Sequence, residues 1–167
     1  MKTLQNLIKD LTDIIVDQEK INDYLASEAL DLRGADLNSA NLTYADLRCA
    51  KLQDAILIGA DLQDADLRCA DLRWADLQDA KLQDAKLRSA NLTYADLRCA
   101  KLEGADLQGT YLIGVNLQDA DLRCADLRCA DLRDANLKGV NLSFAKLKDI
   151  KITKQQLEQL TVIEEGE

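Results

Sequence analysis

The cysteines are the residues of this sequence whose side chains best suit nucleophilic or metal chemistry. They stand at Cys49, Cys69, Cys99, Cys124 and Cys129, and the sequence has no histidine. Without histidine, the commonest general base and the commonest metal ligand are both missing. Cys124 and Cys129 would need two further soft ligands to hold a zinc ion. There is also no Gly-rich phosphate loop. We therefore predict a protein that is not an enzyme and that carries no metal or cofactor.

A five-residue repeat organises the chain around these side chains. Leu occupies every fifth position from Leu32 to Leu147, which is 24 positions in succession, and Ala stands two residues before almost every Leu. A helix needs apolar residues about every 3.6 positions and a strand needs them at every second position, so a period of five fits neither. Read as Ala-x-Leu-x-x, each unit gives a short extended piece with Ala and Leu on one face, followed by a turn. A chain that turns such units repeatedly around one axis is a solenoid.

The A-(D/N)-L-x-x pattern resembles the pentapeptide-repeat family over about residues 31 to 150. This resemblance implies an all-β solenoid, a right-handed quadrilateral β-helix in which four pentapeptides make one 20-residue coil. About six coils follow, and the rod would be roughly 30 Å long at the usual strand spacing. We predict an N-terminal α-helical cap over residues 1–30, the β-helix over 31–152, and a short C-terminal helix and tail over 153–167. Thr153 and Gln156 have the spacing of a capping box at the start of that last helix.

The charge balance limits the partners of the chain. Its 167 residues include 30 Asp and Glu against 21 Lys and Arg, a net charge of −9. An acidic protein is a poor ligand for nucleic acid or for an anionic membrane surface, so neither is expected as a partner. No apolar run approaches the length of a membrane span, and the first residues do not form a signal-peptide core. The sequence therefore predicts a cytoplasmic location, in which the thiols are reduced.

Residues 20 apart should stack on one wall of the four-sided coil, and two charged sets stand out on this basis. One set is Arg48, Arg68, Arg88 and Arg128, most of which have Asp two residues earlier. It is either a docking strip for a partner or anion, or a wall on which opposite charges neutralise each other; the second interpretation is favoured. The other set is Asp36, Asp76 and Asp96. Either these carboxylates imitate a row of phosphates, or they bond the backbone of turns, which again is the favoured interpretation.

Two pairs of side chains that lie 20 residues apart are also predicted to stack. Trp74 and Tyr94 would form an exposed aromatic patch for a protein partner, or they would only cover their neighbours at turn positions that tolerate size. Cys49 and Cys69 would lie close enough for a disulfide, although both are expected to be reduced in the cytosol.

We interpret the chain as a non-enzymatic interaction module or scaffold for an unidentified protein, present as a monomer or as a homodimer through an end cap. The family it resembles is especially abundant in cyanobacteria. The resemblance also implies an alternative, because some members are acidic rods that imitate duplex DNA and bind type II topoisomerases such as DNA gyrase. Residues 31–150 carry a net charge of only −4, which is small for a DNA mimic. Furthermore, the segment Asn41–Leu52 recurs unchanged as Asn91–Leu102, which indicates interchangeable units more than one precisely placed recognition face.

Overall fold

The computed structural model describes residues 29–156, which form a four-sided β-solenoid. Parallel β-bridges join each repeat to the one 20 residues later, from Asp31↔Lys51 to Asp131↔Lys151. The bridges run in four ladders that begin at Asp31, Asp36, Asn41 and Asp46. We call the faces that carry these ladders the first, second, third and fourth walls. Each bridge is a single residue, followed by Leu and then by a two-residue turn, so the walls are built from isolated bridges and not from longer strands. The predicted 20-residue coil is confirmed.

Every pentapeptide turns in the same way. In each turn from residue 32 onwards, the N–H of the residue three after Leu donates to the Leu carbonyl, as Ala75 does to Leu72 at 3.1 Å. The second turn residue has a positive φ throughout, from Gly34 (65°) through Trp74 (62°) to Asp149 (60°). A positive φ at this position alone is the pattern of a type II turn, which normally prefers glycine. In this chain Asp, Cys, Ser and aromatic residues hold it more often than glycine does.

The Leu and Ala side chains point inward and fill the solenoid. Leu82 and its neighbours in the ladder, Leu62 and Leu102, are at most 1% exposed. The same is true of the Ala residues between them, which are small enough to allow a narrow cross-section. Where Thr110 replaces Ala, its hydroxyl donates to the carbonyl of Leu107, so the polar group is satisfied inside the core.

The coils are joined by backbone hydrogen bonds that repeat at every wall. At the third wall the N–H of Leu82 donates to the carbonyl of Lys101 at 2.7 Å, and the N–H of Lys81 donates to Ala60 at 2.9 Å. The turn residue Asp84 donates to Glu103 at 3.0 Å. Three of the five N–H groups of a pentapeptide therefore cross to a neighbouring coil.

The C-terminal end of the described chain begins a helix at residues 154–156. As the sequence predicts, Thr153 and Gln156 form a capping box: the Gln156 N–H donates to the Thr153 Oγ1 at 3.3 Å and the Thr153 N–H donates to the Gln156 Oε1 at 2.8 Å. The Gln156 amide also donates to the carbonyls of Leu132 and Ala135, which satisfies two acceptors of the last coil. The predicted N-terminal helix and the rest of the C-terminal helix and tail lie outside the described residues. Within residues 29–156 no helix is long and apolar enough to cross a membrane.

Candidate protein-interaction surface

The acidic column of the second wall is explained by turn geometry. Asp36 Oδ1 accepts the N–H of Asn38 at 3.1 Å, and Asp76 and Asp96 accept the N–H groups two residues after them at 3.2 and 3.1 Å. Asn116 and Asn136 make the same bond in the same ladder. These side chains therefore bond turn backbone, as the favoured interpretation expects, and imitation of phosphates by the same column stays a prediction.

The arginines of the fourth wall are held in ion pairs. Arg48 lies 2.6 Å from Asp46, Arg68 lies 2.6 Å from Asp66, and Arg128 lies 2.7 Å from Asp126. Arg88 has a lysine two residues earlier, and it reaches instead to Asp106 on the next coil at 3.2 Å. The charges of these arginines are thus paired within the rod, as the favoured interpretation expects, and a docking strip stays a prediction.

These ion pairs also perturb the carboxylates electrostatically. The hydrogen-bonded guanidinium of Arg128 holds the pKa of Asp126 well below its usual range, with a further contribution from the Gln108 amide. Arg48 lowers the pKa of Asp46 in the same way. Both groups are therefore ionised at neutral pH and already have cationic partners, so neither has the raised pKa of a general acid.

The same pairing extends beyond the wall on which the sequence indicated it. Arg33, Arg73 and Arg133 pair with Asp residues of the first wall, Arg98 does so on the second and Arg123 on the third. The signal was present in the recurring Asp-Leu-Arg tripeptide, because a residue pair at i and i+2 lies on one side of a bridge wherever the tripeptide occurs.

The aromatic pair is stacked, as its 20-residue spacing predicts. The ring centroids of Trp74 and Tyr94 are 4.4 Å apart and the ring planes differ by 24°. Trp74 is 60% exposed and Tyr94 is 50% exposed, so the stack stands on the surface. Gly114 follows in the same column, and a Cβ there would lie 2.5 Å from the Tyr94 ring. Glycine at this position therefore makes room for the ring to lie flat on the next coil.

A third ring belongs to the same wall. Tyr111 lies in the first-wall ladder between Asn91 and Asp131 and is half exposed. The Tyr111 side chain is at a bridge position and not at a turn, so the 20-residue spacing of Trp74 and Tyr94 does not identify it. The 20-residue register of the first wall, in which Tyr111 follows Asn91, could have placed it there. We call Trp74, Tyr94 and Tyr111 the aromatic surface. Tyr44 and Phe144 are exposed on the third wall, at opposite ends of the rod.

The five cysteines are free and exposed at turn positions. Cys49 and Cys69 follow one another in the column after the fourth wall, as predicted, while Cys124 and Cys129 stand at successive corners of one coil. Among residues 29–156 no three metal-ligating side chains come together in an arrangement that would hold a metal ion.

Comparisons with known proteins agree with this architecture. The family model for pentapeptide repeats matches in eight copies, over residues 29–59, 45–84, 70–109, 100–139 and 116–153. Among solved structures, HetL from the cyanobacterium Nostoc sp. strain PCC 7120 is 26% identical, covering 81% of this chain and 94% of its own, with a TM-score of 0.54. Rfr23 from the cyanobacterium Cyanothece 51142 is 23% identical, covering 82% and 100%, with a TM-score of 0.54.

A third pentapeptide repeat protein, alr5209 from Nostoc PCC 7120, is 37% identical over 50% of this chain and 84% of its own, with a TM-score of 0.48. No curated protein matches the sequence. The family model covers most of the chain, and the solved pentapeptide repeat proteins that resemble it imply a right-handed β-helical solenoid. The chain therefore belongs to the pentapeptide-repeat family.

Proposed function

We propose that this protein is a non-enzymatic interaction module that binds a partner protein through the aromatic surface of Trp74, Tyr94 and Tyr111. The observation that carries the proposal is the exposed Trp74–Tyr94 stack. Tryptophan and tyrosine contribute most to binding when a partner buries them, and two rings already stacked lose little conformational freedom on binding.

The remaining surface supports this choice of site. The ion pairs and turn bonds described above give most arginines and many Asp and Asn side chains of the four walls partners within the rod. A neutralised wall offers a partner little net gain, because each paired charge would have to be desolvated. HetL, the 26% identical relative, is a pentapeptide repeat protein involved in heterocyst differentiation regulation. A regulatory role of that kind is compatible with a protein that acts by binding.

The charges around the stack indicate what kind of partner would fit. Its turn column runs Asp54, Trp74, Tyr94, Gly114 and Asp134, so a carboxylate stands beyond each end of the aromatic pair. The whole chain also has a net charge of −9. A partner with an apolar or aromatic contact residue flanked by lysine or arginine would therefore match both features.

The test is capture of the partner by the full-length protein and by matched variants. The double variant Trp74→Ala/Tyr94→Ala should lose the partner, with affinity at least about tenfold weaker, as expected when hot-spot rings are truncated. Tyr44→Ala is the control, since Tyr44 lies in an identical twelve-residue segment on the opposite wall. Binding that survives the double variant, or that depends equally on Tyr44, would show that the aromatic surface is not the site.

The DNA-mimic alternative is favoured by one observation. Among residues 29–156 no basic side chain forms a salt bridge with Asp36 or Asp76, so these carboxylates of the second wall are not neutralised as the fourth wall is. If the chain binds DNA gyrase, changing Asp36, Asp76 and Asp96 to Asn should weaken that binding. Asparagine keeps the turn bond, as Asn116 and Asn136 show, so the charge is removed without loss of that bond; at Asp96 the ion pair with Arg98 is removed as well. Inhibition of gyrase supercoiling, measured with both proteins, decides this alternative.

A further inference from the structure

Cys49 and Cys69 occupy equivalent positions on consecutive coils. Their φ angles are 56° and 59°, and both side chains are exposed. The backbone N–H of Cys49 donates to the carbonyl of Arg68 at 2.9 Å, which holds the two corners at strand spacing. That spacing is about 4.8 Å, inside the range of about 4.4–6.8 Å between Cα atoms that a disulfide requires.

The next corners of the same column show how closely a side-chain atom of one turn residue approaches the Cβ position of the turn residue on the following coil. Ser89 Oγ lies 3.9 Å from the position a Cβ would take at Gly109. In the column after the second wall, Ser39 Oγ lies 3.7 Å from the corresponding position at Gly59. In a disulfide each sulfur is roughly 3 Å from the Cβ of its partner. Rotation about χ1 and a shift of less than about 1 Å would therefore bring the sulfurs of Cys49 and Cys69 into bonding distance.

The other three cysteines share this backbone but have no cysteine on a neighbouring coil. Cys99 stands between Asp79 and Asp119, Cys124 between Gly104 and Phe144, and Cys129 between Gly109 and Asp149. Cys124 and Cys129 are separated by one full wall, about 10 Å of extended chain, which exceeds the disulfide limit of about 7 Å.

We propose that Cys49 and Cys69 form an oxidant-responsive site that closes to a disulfide with hydrogen peroxide. The thiolate of one cysteine attacks a peroxide oxygen, the O–O bond breaks, and a sulfenic acid and hydroxide result. The second thiolate then attacks the sulfenic sulfur, forms the S–S bond and expels hydroxide. In total, two thiols and one peroxide give one disulfide and two waters. The bond would join the first coil to the second at the corner between the fourth and first walls, independently of the proposed partner binding.

The shift of up to about 1 Å that closes the bond leaves it under some strain, and strained, exposed disulfides are the more easily reduced ones. Excess reduced glutathione should therefore reopen it, and the site would cycle between the two states.

The experiment counts thiols in the full-length protein at low concentration before and after peroxide treatment. The wild type should fall from five free thiols to three, with an intact mass lower by about 2 Da and no covalent dimer. Cys49→Ser and Cys69→Ser should each form no disulfide. Cys99→Ser is the matched control, because Cys99 lies in the same twelve-residue sequence as Cys49, and it should still lose two thiols. Serine already stands at such corners in Ser39 and Ser89, so all three variants keep a residue that the fold uses.

A panel of variants is needed because peptide mapping is ambiguous. Trypsin releases Cys-Ala-Lys from both Cys49 and Cys99, and Cys-Ala-Asp-Leu-Arg from Cys69, Cys124 and Cys129. The proposal is overturned if peroxide adds oxygen without removing two hydrogens, if the bond forms between chains, or if Cys49→Ser loses thiols as the wild type does.

Discussion

At the scale of single residues, a pentapeptide in the middle of the rod that has Asp or Asn before Leu gives each of its backbone N–H groups an acceptor. In the repeat from Ala75 to Asp79, the Ala75 N–H closes the preceding turn, and the N–H groups of Asp76, Leu77 and Asp79 cross to neighbouring coils at 2.7–3.0 Å. The remaining one, on Gln78, donates to the Asp76 carboxylate at 3.2 Å. Buried or half-buried N–H groups need acceptors. The backbone of the coils supplies four of the five, and the side chain of Asp or Asn supplies the fifth. This is the physical reason for Asp or Asn before Leu.

The role of Asp76 can be separated from its charge. Asp76→Ala removes the acceptor of the Gln78 N–H and should lower the free energy of unfolding by about 1 kcal/mol. Asp76→Asn keeps an acceptor, as Asn116 does for Gln118 at 3.3 Å, and should cost much less. Urea unfolding of the two variants and the wild type measures the difference. Equal losses in both variants would show that charge, and not the turn bond, matters here.

The arginine-paired carboxylates predict how stability depends on pH. Arg128 lowers the pKa of Asp126 and Arg133 lowers that of Asp131, while Arg33 lowers the pKa of Asp31 to about 2. Such a carboxyl group has a lower pKa in the folded state than in the unfolded state, where its pKa is about 4. It therefore stabilises the fold at pH values above about 4. This stabilisation is lost as the pH falls from about 4 toward the pKa of the folded state. The unfolding free energy should therefore fall steadily from about pH 4 to pH 2 and vary little between pH 5 and 7, since the chain has no histidine.

Thermal melts between pH 2 and 7 test this dependence. Asp131→Asn keeps a turn acceptor beside the Arg133 N–H but removes a charge that is 95% shielded from solvent. It should melt at a lower temperature than the wild type at neutral pH, and its melting temperature should fall less between pH 4 and 2. A parallel decline in both proteins would mean that Asp131 does not contribute to the acid sensitivity.

At the scale of the element, one turn geometry serves every corner of the solenoid whatever residue stands there. The left-handed residue is Gly, Ser, Asp, Cys, Tyr, Trp or Phe, yet its φ stays between 54° and 72°. In the coils before the last one, the N–H of the left-handed residue also reaches the next coil, as that of Trp74 reaches Thr93 at 3.2 Å, and the four corners of the last coil have φ values in the same range without such a bond to any of residues 29–156. Glycine is therefore required only where a neighbouring side chain lies over the corner.

Gly114 is such a corner, and Gly34 is the matched control. Both have left-handed backbones, with φ of 63° and 65°. Among residues 29–156 nothing lies within 4 Å of a Cβ at Gly34, whereas the Tyr94 ring lies 2.5 Å from one at Gly114. Gly34→Ala should cost no more than about 1 kcal/mol of conformational strain. Gly114→Ala should cost more and should displace Tyr94 from Trp74, which near-ultraviolet circular dichroism and tryptophan fluorescence would detect. The same spectral change in both variants would contradict the contact between Tyr94 and Gly114.

Most of what could be predicted about these elements followed from the period of five. It placed Leu and Ala inside, fixed which residues share a column, and so put Trp74 over Tyr94 and Cys49 beside Cys69. It did not predict left-handed turns at cysteine, tryptophan, tyrosine or phenylalanine, because the local preference of these residues is against that conformation. Nor did it predict that Tyr94 lies on Gly114, since a period states which residues are neighbours and not the direction in which a side chain leans.

At the scale of the whole molecule, the neighbouring coil decides what a local sequence can do. Asn41–Leu52 and Asn91–Leu102 are identical but lie on opposite sides of the rod. Tyr94 stacks on Trp74 and is 50% exposed, whereas Tyr44 has no such ring before it among the described residues and is 77% exposed. Likewise Cys49 has Cys69 as its neighbour, and Cys99 has Asp119. Interchangeable units thus become different surfaces through register alone, which reconciles the duplicated sequence with a localised site.

The continuity of the Leu stack determines the stability of the whole rod. In a solenoid each coil contacts only its neighbours, so a defect in a middle coil separates the two halves while a defect at the end removes only the last coil. Leu82→Lys would place an ammonium group between Leu62 and Leu102, where the side chain is fully buried among leucine and alanine. An unpaired buried charge costs several kcal/mol, which is comparable with the total stability of a domain, about 5–15 kcal/mol.

We therefore expect Leu82→Lys to be unfolded, or to melt at least about 10 °C below the wild type, in far-ultraviolet circular dichroism. Leu147→Lys is the control, since Leu147 occupies the same repeat position but is 36% exposed in the last coil, where the lysine ammonium can reach water. Its melting temperature should change by only a few degrees. If Leu82→Lys instead melted like Leu147→Lys, the middle of the rod could expel a side chain without breaking its ladders. The stability of the solenoid would then come from the hydrogen bonds between coils more than from its leucine core.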